Sequence, residues 1–211
     1  MKKPYLIEAC VESLKSAKNA EKNGADRIEL CSHLEVGGLT PEFTLIKQVK
    51  SSLTIPIRVM IRPREGDFYY SDDEVEDMID SISMCRYLDV EGVVFGATTS
   101  SMKKLDMELI EELAAVAYPL KVTIHKAIDE CTFPSKEVFK LKNIRNIDAV
   151  LSSGKKDTAI EGFEELKLMI NQASDKIKII SAGKITSENL DEVHDKIGGT
   201  YYHGRKIVQV F

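Results

Sequence analysis

The chain has 211 residues, 43% hydrophobic and 30% charged, with a net charge of −5. That supplies a core for one large domain, while an acidic balance argues against nucleic acid as the main partner, since phosphate backbones call for a basic face. No apolar run approaches the roughly 18 residues of a membrane span, and "MKKPYLIEACVES" lacks the uninterrupted apolar stretch of a signal peptide.

Short apolar runs recur along the chain: "YLIEACV" (5–11), "ADRIELC" (25–31), "IPIRVMIR" (55–62), "GVVFG" (92–96), "LKVTIH" (120–125), "AVLSS" (149–153), "IKIIS" (177–181) and "TYYHG" (200–204). Each reads as a strand. Seven amphipathic segments lie between them. In 71–88, Val75, Met78, Ile79, Ile82 and Cys85 fall at steps of three or four, which predicts a helix with Cys85 on its apolar face. Ser71 and Glu74 form a capping-box signature, and Pro41 and Pro134 stand where helices can begin.

Alternation of this kind predicts parallel βα units. A doubly wound sheet would carry GxGxxG after its first strand, and "EACVES" carries none. Eight strand signals instead predict a single (β/α)8 TIM-type barrel over residues 1–211. The chain is shorter than the about 250 residues usual for that fold, and seven residues follow Gly204. The eighth helix is therefore expected to be missing or rudimentary. The flank it leaves uncovered predicts a homodimer or higher homo-oligomer.

Barrel chemistry sits at the carboxy-terminal ends of the strands, and a period of two selects the side chains that can share that mouth. The selection returns Glu8 and Cys10, Glu29 and Cys31, Arg62 with Arg64 in its loop, His125 followed by Lys126 and Asp129, Ser153-Gly154, Gly183, and His203. An isolated arginine can be a structural ion-pair partner. Two glutamates, an arginine and a histidine on four strands point instead to a functional mouth. Arg62 and Arg64 can grip a carboxylate or phosphate through planar forks, with Asp67 orienting one of them. "SSGKK" (152–156) resembles a small phosphate nest in its residue types. Cys131 lies in a loop with its role open, and His33 and His194 read as solvated. With no export signal and no CxxC pair, the four cysteines are expected to be thiols in a cytoplasmic protein.

"GADRIELC" with "VGGLTPE", "VMIRPREGDFYYSDDE", "TIHKAID", "VLSSG" and "SENL" together resemble the CutC family, the copper homeostasis proteins, over nearly the whole chain. The resemblance implies a cytoplasmic (β/α)8 barrel. It also implies copper(I), with Cys10 and Cys31 as metal ligands, and thiolates suit that soft ion. The chain departs from the family where Lys126 and Ile128 replace arginine and phenylalanine, and where Tyr201-Tyr202-His203 replaces Glu-x-His. Two function classes follow. One is a copper(I)-binding homeostasis protein using Cys10 and Cys31. The other is a barrel enzyme on a small anionic metabolite, held by Arg62, Arg64, Asp67, Lys126, Ser153, Gly154, Gly183 and His203. In that enzyme His125, with Glu29 or Asp129, moves a proton.

Overall fold

The computed structural model describes residues 3–101 and 103–208. Eight parallel strands close into a barrel in sequence order: β1 Leu6–Val11, β2 Arg27–Leu30, β3 Ile57–Met60, β4 Gly92–Phe95, β5 Lys121–Ile124, β6 Ile147–Ser152, β7 Lys178–Ser181 and β8 Tyr201–Gly204. Pairing of β1 with both β2 and β8 makes the closure. The helices between them are α1 Leu14–Lys22, α2 Phe43–Ser52, α3 Asp72–Tyr87, α4 Met107–Ala117, the short α5 Ala127–Glu130 with α6 Pro134–Leu141, α7 Phe163–Ala173 and α8 Leu190–Ile197.

Local sequence explains most helix starts. Ser71 accepts from the Glu74 N–H while Glu74 accepts from the Ser71 N–H, so α3 begins in a complete capping box. Pro134 occupies the first turn of α6, where its missing N–H costs nothing. Pro41 is displaced from that role, because α2 begins at Phe43 with Glu42 as its cap. Cys85 is buried on α3, as its spacing predicts.

No helix follows β8 among the described residues. The outer faces of β8 and β1 are nonetheless covered within the chain. Tyr202 is fully buried beneath the edge-on ring of Tyr5, with centroids 5.4 Å apart. Its hydroxyl lies 3.0 Å from His194 Nδ1, so His194 is a packing partner rather than a solvated residue. Ile207 and Val208 join the same core. Among the described residues, the flank on which the expected homo-oligomer rested is thus covered from within the chain.

The inward positions are unusually polar. At the amino-terminal end of the barrel, the buried Arg58 guanidinium donates to Glu91 at 3.1 Å and Asp148 at 2.8 Å, and also to the Thr123 hydroxyl. Arg27 donates to Glu8 at 2.5 Å. These pairs fill the lower layers with matched charge, which keeps buried ions from standing alone. They leave the other end open.

Candidate functional site

A cavity of about 570 Å³ opens at the carboxy-terminal mouth, within the roughly 300–1,000 Å³ usual for small-ligand pockets. Cys10, Glu29, Arg62, His125, Lys126, Gly183 and His203 all line it. Arg64, Asp67, Asp129, Ser153, Gly154 and Cys31 do not, and each has a physical reason.

Arg64 is turned away. It donates to Glu74 at 2.6 Å, to the Asp67 carboxylate at 3.0 Å and to the carbonyls of Glu65, Asp67 and Tyr69. Glu74, already tied to the α3 cap, thus anchors the β3–α3 loop through Arg64. Asp67 orients Arg64, not Arg62.

Asp129 fills the nest that its own chain builds. It accepts from the Ser152 hydroxyl at 2.5 Å, from the Ser153 N–H at 3.0 Å and hydroxyl at 3.1 Å, and from the Lys155 N–H at 3.2 Å. The "SSGKK" turn therefore receives an internal carboxylate, which takes Ser153 and Gly154 out of the cavity wall.

Arg62 lies two residues beyond β3 and is only 6% exposed. Its terminal nitrogens donate to the carbonyls of Val36 at 3.1 Å, Gly38 at 3.3 Å and Gly66 at 2.8 Å. Backbone oxygens thus occupy most of the fork, and none of these partners carries a charge. Nε is left buried without a partner. The "VGG" segment permits this arrangement. A Cβ on Gly37 would stand 3.2 Å from Arg62 Nη1, and one on Gly38 would stand 3.2 Å from Cys31 Sγ. Both glycines also have positive φ, 96° and 92°.

His125 is fully desolvated, and burial together with the neighbouring Arg62 charge pushes its pKa down to about 3. Its ring packs against Phe68 at 4.7 Å and against Gly96, where any Cβ would come within 2.8 Å of Nδ1. Nε2 has no partner.

The remaining residues form one network on β1, β2 and β8. Cys10 and Cys31 bring their sulfurs to 3.8 Å, and the Cys31 sulfur lies 3.5 Å from a Glu29 carboxyl oxygen. His203 bridges the carboxyls, with Nδ1 2.9 Å from Glu8 and Nε2 3.6 Å from Glu29. Burial alone would raise the Glu8 carboxyl, but Arg27 and His203 outweigh it and hold it at about 2. Hydrogen bonding from Cys31 draws the Cys10 thiol well below its ordinary value, and burial lifts Glu29 well above the carboxylate range. Of the two sulfurs, Cys10 is the one on the cavity wall.

The family model described as the CutC family matches residues 5–208. The chain belongs to the CutC family. The human copper homeostasis protein cutC homolog is 43% identical over 199 residues, covering 94% of this chain and 72% of the human one. A CutC family protein of Pasteurella multocida is 39% identical, covering 93% and 80% respectively. The solved CutC structure from Streptococcus agalactiae superposes with a TM-score of 0.91 at 31% identity, covering 97% of this chain and all of that one. Among the described residues, no helix of this CutC-family chain is long and apolar enough to cross a membrane.

The donor set suits the ion that the family name brings. Cys10, Cys31 and Glu29 offer ligand atoms within 4.8 Å of one another, and Glu8, Glu29 and His203 form a second such group. Two sulfurs favour a soft ion such as copper(I) over hard divalent cations. Sequence reasoning did not reach Lys184, Arg205, Lys206 and Phe68, which also line the cavity. Each stands on a loop, where no period applies.

Proposed function

We propose that this chain binds copper(I) at the cavity floor through Cys10 and Cys31, in keeping with its family. The 3.8 Å approach of the two sulfurs, one on the cavity wall and one behind it, carries the reading. Cys10 and Cys31 would hold the ion as thiolates, each thiol proton leaving to solvent as the metal binds. Four free cysteines suit a reducing cytoplasm. Copper(I) titration of the wild type against the paired serine variant tests it.

A second reading, an enzyme or binding protein for a small anionic metabolite, is favoured by a separate observation. Among the described residues, Arg62 and His125 each keep a buried nitrogen without a partner, and no carboxylate pairs with Arg62. Unmet buried donors are costly unless a ligand completes them. Here His125 donates from a neutral ring, and Arg62 supplies positive potential. Calorimetry with small anions tests this reading.

A further inference from the structure

Across the barrel from β3, the loops after β7 and β8 build the opposite wall of the cavity. They deliver Lys184, Arg205 and Lys206, all exposed at the rim. Lys184 meets Asp157 only at 3.9 Å, in a pair that is largely solvated on both sides. In the same loop, the backbone N–H groups of Gly183 and Lys184 donate to no group among the described residues. Five cationic side chains line the cavity (Arg62, Lys126, Lys184, Arg205 and Lys206) against two carboxyl groups, Glu29 and Asp157. The whole chain carries −5, so the mouth inverts the sign of the protein around it. A concave site of that kind concentrates anions.

We propose that the loops after β7 and β8 hold the phosphate of a small phosphomonoester. Its other end then carries a carbonyl or carboxylate oxygen that meets His125 Nε2 and Arg62 Nε, the two unpartnered buried nitrogens on the far wall. The inference rests on the anionic-metabolite reading and names its ligand class. Phosphate suits these loops better than carboxylate. Separate point charges from two loops, with backbone N–H groups from one of them, can surround a terminal group of three oxygens, whereas a carboxylate is best met by one planar fork. In (β/α)8 barrels the loops after strands seven and eight frequently take this role. Met60, Leu151 and Ile185 lie on the cavity wall and accommodate a short carbon chain.

Calorimetric titration at low ionic strength, with 3-phosphoglycerate, inorganic phosphate and glutarate as probes, tests the assignment. The Lys184→Ala/Lys206→Ala double variant should weaken 3-phosphoglycerate binding about tenfold or more. A control Lys22→Ala, on α1, should leave it within about twofold. Both substituted lysines are exposed, so the thermal unfolding midpoint should hold, and Lys184→Gln alone should show part of the loss. Equal phosphomonoester affinity in wild type and double variant would overturn the inference. If that binding fell instead in Arg62→Lys, the anionic-metabolite reading would survive with its anion moved to β3. Wild type that binds glutarate but neither phosphate probe would likewise sink the phosphate assignment alone. Wild type that binds none of the three would remove both.

Discussion

Nδ1 of His125 accepts a hydrogen bond from the backbone N–H of Ala127 at 3.2 Å. An accepting Nδ1 places the ring proton on Nε2, so His125 is a neutral donor at Nε2. That differs from the proton-moving role expected from its position beside Glu29 and Asp129. Its titration has a direct consequence for stability. Below the ordinary value of 6.5 the unfolded chain takes up a proton that the folded chain refuses until about pH 3. Stability should therefore decline as pH falls through that window. His125→Gln should flatten the decline, read as urea midpoints at a series of pH values from about 7 to about 4. An unchanged slope would mean that the imidazole is not held neutral.

Arg62 bridges two loops through three carbonyls, and lysine can reproduce neither the fork nor its spacing. Hydrogen bonds from charged groups contribute about 1.5–3 kcal/mol each, and lysine keeps some of them. Arg62→Lys should therefore lower unfolding free energy by about 2 kcal/mol, whatever it does to ligand binding. A loss below about 0.5 kcal/mol would show that the carbonyl contacts matter little.

Asp129 accepts four hydrogen bonds from the turn that follows β6. Asn at that position keeps the shape but turns an amine toward donors. Asp129→Asn should cost about 2–3 kcal/mol and raise hydrogen exchange at Ser153 and Lys155. A variant as stable as wild type, with protection intact, would return Asp129 to the list of free acids.

The barrel was legible because its strands are apolar runs and its helices carry their own start signals, as Ser71 and Glu74 do. The mouth was legible as far as the two-residue period runs: Cys10, Glu29, Arg62, His125 and His203 follow from it. Carrying the same period backward would have found Arg27 on β2 with Glu29, and Arg58 on β3 four residues before Arg62. What it could not give is how loops spend their donors. Arg64 turns outward because Glu74 reaches it from ten residues away, and Asp129 fills a turn more than twenty residues downstream. Those are pairings of tertiary structure, with no local pattern to announce them.

Copper(I) titration, with a competing chelator, of wild type, Cys10→Ser/Cys31→Ser and Cys85→Ser tests the central claim most directly. Cys85 is a buried helix-face thiol whose pKa burial pushes up to about 12, so it serves as the inert control. Wild type and Cys85→Ser should each take up copper(I) stoichiometrically, and the double variant should take up none while keeping its circular dichroism spectrum. Undiminished stoichiometric binding by the double variant would contradict the account.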